Sequence, residues 1–190
     1  MSNQGVQERY QTAMKYAGEM HSEQKVPGTN ANYLLHISNV TMEVLVAFAH
    51  SPDFDIELAI QAAILHDTVE DSDATVEDIR ELFGNDVAEA VSALTKDPSI
   101  KDKNEKMQDS LNRINLLSKE VGMVKLADRI TNLQPPPPHW SREKCLNYLE
   151  QAKSMSKDLA GKNEYLNKRL DSKLEEYANW IQDFDKLKNL

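Results

Sequence analysis

The chain has 190 residues, with 22 Lys and Arg against 31 Asp and Glu, a net charge of −9. At 21.6 kDa, 40% hydrophobic and 28% charged residues, it is long and apolar enough for one domain with its own core, which excludes general disorder. The acid excess leaves no basic face for a general nucleic-acid binder, and the single cysteine, Cys145, excludes an internal disulfide framework and a cysteine-built zinc site.

Val6, Tyr10, Ala13, Ala17 and Met20 recur at steps of three and four, predicting an amphipathic helix over about residues 6–24. Before it, Met1 to Gly5 carry no basic and apolar leader, and no apolar run is long enough to span a bilayer. The expectation is a soluble cytoplasmic protein with no membrane partner. Pro27 to Asn30 break the first helix, and a second is expected from Tyr33 to about Ala49, with Val40, Val44 and Ala47 on its stripe. A third, from about Asp55 to Asp67, is apolar nearly all round and so buried. Thr75 with Asp78 forms a capping-box pattern; Gly84 closes that short helix, and Asn85 is expected to cap the next. Lys96 to Lys106 reads as a charged loop. Its lysines are expected either in solvent or closing over a polyanion. Val121 to Leu133 is apolar again and is stopped by Pro135 to Pro138. Ser141 can cap a helix to about Leu159. In the last segment Leu166, Leu170, Leu174, Tyr177, Ile181, Phe184 and Lys188 step by four and three. They form either a helix packed on the domain or a short coiled-coil seam through which copies of the chain could associate. With no strand-period segment, repeat or linker, the fold class is all-α. One domain is expected, with a core over about residues 5–160 and a terminal helix over about 161–190.

The chemistry concentrates at His66-Asp67-Thr68-Val69-Glu70-Asp71. On a continuous helix the His, the two Asp and the Glu fall within an arc of about 140°. Three carboxylates crowded at a core edge lose hydration and repel one another, a conflict that a divalent cation resolves. His36, 30 residues before His66, shares a face with Val40 and Val44. Asp128, 61 residues after Asp67, lies in the apolar run Val124 to Asp128. Two imidazoles and two carboxylates suit manganese, iron or zinc better than calcium.

These residues stand in a longer pattern: His21-x-x-Gln24, Tyr33-x-x-His36, Ala62 to Asp71, Phe83-Gly84, and Val124-Lys125-Leu126-Ala127-Asp128-Arg129-x-x-Asn132-Leu133. Over roughly 110 residues this resembles the HD phosphohydrolase superfamily, and within it the hydrolase domain of the RelA/SpoT family and the single-domain small alarmone hydrolases. The resemblance implies an all-helical HD bundle that uses one Mn²⁺ to remove the 3′-diphosphate of guanosine tetra- or pentaphosphate as pyrophosphate. It implies His36, His66, Asp67 and Asp128 as metal ligands, with Glu70 and Asp71 orienting and deprotonating water. Asn132 is implied at the nucleotide, and Lys25, Lys125, Arg129 and His21 are further candidates for substrate contact. No synthetase domain is expected beside it. Two departures concern the substrate: Gln24 is followed by one cation, Lys25, where the family carries a basic pair, and Asn32-Tyr33 replaces Pro-Tyr. A hydrolase of another phosphorylated nucleotide, such as a phosphate ester of a nicotinamide cofactor, and a non-catalytic nucleotide-sensing module are the alternatives.

Overall fold

A computed structural model describes residues 5–137 and 139–187, with side chains through Asp183. Met1 to Gln4, the fourth proline Pro138, the side chain of Phe184, and Lys188 lie outside the described residues. In chain order the helices are α1 (Val6–Met20), α2 (Leu34–His50), α3 (Ile56–Leu65), α4 (Thr68–Asp71), α5 (Val76–Phe83), α6 (Asn85–Leu94), α7 (Lys103–Asn115), α8 (Lys119–Asn132), α9 (Arg142–Asp158) and α10 (Glu164–Leu187). Among the described residues there is no strand, only an isolated bridge between Lys25 and Asn32. The fold is all-α. No helix among them is long and apolar enough to cross a membrane.

The helix starts follow from side chains that satisfy the free N–H groups of the first turn. Asp55 accepts from Glu57 and Leu58, Asp102 from Asn104 and Glu105, and Ser141 from Lys144. Thr75 and Asp78 form a reciprocal capping box. Asn85 is not a cap. It is the first residue of α6, and its side chain accepts from Arg80 Nε at 3.1 Å. The junction belongs to Gly84, at φ 93° and ψ 171°, a backbone region essentially reserved for glycine.

α3 is the central helix, with Ala59, Ala62, Ala63, Ile64 and Leu65 fully buried. α1 and α2 pack on it, α8 crosses α2 and α3, and α6 touches both α3 and α8. The small alanines let these axes approach closely. One apolar cluster joins Ala13, Ala17, Ile37, Ile60, Ile64 and Ile79. A larger one runs from Val40 and Val44 through Leu126 and Ile130 to Leu166, Leu170, Tyr177 and Ile181. The seam of α10 is therefore taken up by the chain's own core, against α8 and α9. Glu43, buried on α2, receives Arg169 of α10 at 3.3 Å and ties that helix to the bundle. Trp140 follows the prolines and packs edge-on against Tyr148, as an anchor of that turn should.

Two boundaries differ from expectation where function is concerned. The helix expected over Asp55 to Asp67 ends at Leu65. Thr68 Oγ1 donates to Leu65 O at 2.6 Å, and His66 Nδ1 lies 2.8 Å from Ala63 O. These side chains take carbonyls that the next turn would use, so the chain bends and restarts as α4. The expected loop from Lys96 to Lys106 ends early, because Asp102 caps α7 at Lys103.

Candidate active site

The bend after α3 turns His66 and Asp67 inward. His66 stands at the end of α3, and Asp67 opens α4. His36 comes from the first turn of α2 and Asp128 from α8, both buried. Four side chains able to ligate a metal converge, with His36, His66 and Asp67 as the tightest group. His66 Nε2 is 2.9 Å from Asp67 Oδ2, 3.3 Å from His36 Nε2 and 3.9 Å from Asp128 Oδ1. His36 Nε2 is 3.6 Å from Asp67 Oδ2 and 3.5 Å from Asp128 Oδ1. Nitrogen and oxygen ligands held at about 2.0–2.2 Å from one ion stand about 3.0–3.6 Å apart. The atoms of His36, His66 and Asp67, 2.9–3.6 Å from one another, could hold a divalent metal, with Asp128 alongside.

The surroundings aim these atoms. The Nδ1 of His66 faces the Ala63 carbonyl at 2.8 Å and so serves as its donor, which leaves Nε2 as the ligand atom. Tyr33 OH donates to Asp67 Oδ2 at 2.6 Å. Asp128 Oδ1 accepts from Asn132 Nδ2 at 2.5 Å, and its Oδ2 accepts from Lys125 Nζ at 3.0 Å. Burial opposes charge on each group, and the neighbours decide the outcome. Burial alone would lower the His66 pKa, but the Asp67 and Asp128 carboxylates raise it to about 9. Burial dominates at His36 and keeps that ring neutral, though Asp128 partly opposes it. Asp128 overcomes its burial through Lys125 and His66 and titrates at about 2. Asp67, beside His66, is also held well below the usual carboxylate range against its burial. Burial, then Asp67, pushes the Tyr33 phenol well above its ordinary value, so it remains a donor.

Glu70 and Asp71 lie in α4, where the Asp71 N–H donates to Asp67 O at 2.9 Å. Each has its own partner. Asp71 Oδ2 accepts from Gln24 Nε2 at 3.0 Å, and Gln24 Oε1 lies 2.5 Å from His21 Nδ1. Glu70 Oε1 accepts from Lys96 Nζ at 2.7 Å, and its Oε2 from the Lys96 backbone N–H at 3.1 Å. Lys96 is thus no solvated loop residue.

A cleft of about 420 Å³ opens beside Asp128, lined by Lys96, Lys103, Lys106, Lys125, Arg129 and Asn132, with Tyr148 and Met107 among its walls. Arg129 is buried, its guanidinium carbon 4.5 Å from the centre of the Tyr148 ring, and its Nε and Nη1 have no hydrogen-bond partner. A buried cation with free donors is costly unless an anion completes it. The cleft therefore brings Lys125, Arg129 and Asn132 to the metal-ligand cluster but not Lys25, which is exposed on the α1–α2 loop. His21 is buried behind Gln24 and against Tyr33, with ring centroids 5.0 Å apart, outside the cleft. The roles of Tyr33, Lys96 and Tyr148 were not read from spacing. Only the placement of Tyr33 three residues before His36 gave a signal.

A family model of the HD domain matches residues 13–147, which include His36, His66, Asp67 and Asp128. The chain is 32% identical over 168 residues to a guanosine-3′,5′-bis(diphosphate) 3′-pyrophosphohydrolase of Drosophila melanogaster, covering 86% of this chain and 91% of that protein. It is 37% identical over 129 residues to an enzyme described in the same words from Aquifex aeolicus, covering 67% of this chain but 18% of that longer protein. Among solved structures it superimposes on a metazoan ortholog of SpoT, described as hydrolysing ppGpp, with a TM-score of 0.76. The identity is 29%, over 88% of this chain and 94% of the other.

Proposed function

The chain belongs to the HD-domain family, and from that premise we propose that it hydrolyses guanosine tetra- or pentaphosphate at the 3′ position, releasing pyrophosphate and GDP or GTP. The single observation that carries this reading is the convergence of His36, His66, Asp67 and Asp128 beside a cleft lined by five cations. The relatives' shared activity gives the substrate. The chain is one domain in this reading, since the larger of its two core clusters joins α2 and α3 to α6 through α10.

His36, His66, Asp67 and Asp128 would hold the metal; the mixed nitrogen and oxygen set suits manganese, iron or zinc, and the resemblance to the alarmone hydrolases favours manganese among them. When bound, such an ion lowers the pKa of a water and polarises a phosphoryl oxygen. Lys125 and Asn132 keep the Asp128 carboxylate ionised and oriented, and Tyr33 does the same for Asp67. Arg129 and the lysines of the cleft bind the phosphates, their charges opposing the net −9 of the chain. Glu70 and Asp71, one turn beyond the ligands, orient the attacking water and take its proton. The water oxygen bonds to the phosphorus on O3′, the P–O3′ bond breaks, and the leaving oxygen takes up one proton, balancing the one taken from the water, so that the products are pyrophosphate and a free 3′-hydroxyl. The cytoplasm is the compartment this reading assigns. Self-association through α10 would have to use its outer face, because Leu166, Leu170, Tyr177 and Ile181 are buried within the chain.

A second reading, hydrolysis of another phosphorylated nucleotide, is favoured by one observation: the lone cation after Gln24, Lys25, is not at the cleft. A panel of guanosine 3′,5′-bis(diphosphate), NADPH and nucleoside monophosphates separates the two. The first reading expects the largest kcat/KM for the bis(diphosphate), and a larger value for NADPH overturns it.

A further inference from the structure

One ammonium in this site has two claims on it. Lys96 follows α6 at the mouth of the cleft, which it lines together with Lys103, Lys106, Lys125 and Arg129. Yet its Nζ lies 2.7 Å from Glu70 Oε1, and its backbone N–H holds Glu70 Oε2 at 3.1 Å. Both carboxylate oxygens of the residue that takes the water's proton are thus held by one residue, 26 positions further along the chain. The two contacts differ in kind. The amide is fixed by the backbone and can only position Glu70. The ammonium ends a flexible stem and can swing to another anion.

We propose that Lys96 is a substrate-displaced latch on Glu70. In the free site the ammonium covers Oε1. A polyphosphate entering the cleft carries more charge than one carboxylate and draws the ammonium away, while the amide keeps Glu70 aimed. Oε1 is then open to accept the proton of the attacking water. Lys96 is therefore a positioning and specificity-determining residue: it makes the base available when phosphates beyond the reacting one occupy the cleft, as in a polyphosphorylated nucleotide and not in a simple monoester. This rests on the reading of Glu70 given above. Lys103 and Lys106 also line the cleft, which gives the incoming anion a place to sit before the exchange.

The test measures binding and does not depend on turnover. Inorganic pyrophosphate is titrated calorimetrically into the full chain in the presence of chelator, using wild type, Glu70→Gln, Lys96→Met and the double variant. Removing the Glu70 charge helps any anion a little. The latch adds a term that exists only while Lys96 is present. Glu70→Gln is expected to tighten pyrophosphate binding about fivefold or more in the Lys96 background and about twofold or less in the Lys96→Met background. Lys96→Arg should restore the coupling. The same factor in both backgrounds, or no measurable pyrophosphate binding by any of the four, overturns the latch. In parallel, Lys96→Met should lower the ratio of kcat/KM for guanosine 3′,5′-bis(diphosphate) to that for p-nitrophenyl phosphate. Coupling in the absence of bis(diphosphate) turnover would reject the substrate reading and keep the latch. Turnover with additive binding would do the reverse.

Discussion

His66 carries a proton up to about pH 9 in the metal-free protein, and that proton stands where a metal must bind. Metal therefore displaces it, and affinity tightens as pH rises, by up to about tenfold per unit, until about pH 9. Calorimetric titration of Mn²⁺ at pH 7 in buffers of different ionisation enthalpy should register about one proton released per ion; none released would contradict the assignment of His66. The same raised pKa stabilises the metal-free fold fully below about pH 6.5, and that contribution fades as pH rises through about 9. Tyr33→Phe removes the 2.6 Å bond that orients Asp67 and should weaken metal binding about tenfold. Glu70→Gln and Asp71→Asn should each leave metal content unchanged and lower kcat by about 10²–10⁴, as loss of a proton acceptor does. If either variant loses its metal, those roles are wrong. At this scale the side chains that meet at the cluster were legible, because His36, His66-Asp67 and Asp128 stand out against apolar runs. The partners were not. Lys96 lies 26 residues from Glu70, and Gln24 lies 47 residues from Asp71. Only the packing of α1, α4 and α6 around α3 makes those distances short.

Helices were readable from an apolar stripe of 3.6-residue period in α1 and α2, from an apolar run before the prolines in α8, and from the Ser141 cap in α9. The breaks were harder, because they depend on single side chains that compete with the backbone. Periodicity alone continues α3 through Asp67. The bonds of Thr68 and His66 to the carbonyls of Leu65 and Ala63 stop it, and the chain restarts at Asp67 as α4. A similar local exception joins α5 to α6, where Gly84 sits at φ 93°. A Cβ built at Gly84 meets nothing within 4 Å, so the cost of Gly84→Ala is backbone strain alone. It should lower unfolding stability by about 1–3 kcal/mol without changing the metal content. Denaturant unfolding checks this, and an unchanged midpoint would contradict the strain. The terminal seam was legible as apolar but not as to its partner, since steps of four and three suit a second helix from either source. Leu166, Leu170, Tyr177 and Ile181 meet the chain's own α8 and α9.

Over the whole molecule, charge is divided by place. A chain of net charge −9 gathers five cations at one cleft, beside the buried ligand cluster. Its long-range field repels a polyanion, and its local field captures one. Screening acts over about 10 Å at 0.1 M salt. The attraction between cleft lysines and phosphates should weaken with salt, so KM for the bis(diphosphate) should rise several-fold between about 0.05 and 0.5 M ionic strength, with a smaller change in kcat. A KM indifferent to salt would place the phosphates elsewhere. The measurement that bears most directly on the whole account is product analysis on metal-stripped protein given guanosine 3′,5′-bis(diphosphate), with and without Mn²⁺, alongside Asp67→Ala. Release of GDP and pyrophosphate only by the wild type with Mn²⁺ is the predicted result. Equal release in chelator, or by Asp67→Ala, would contradict it.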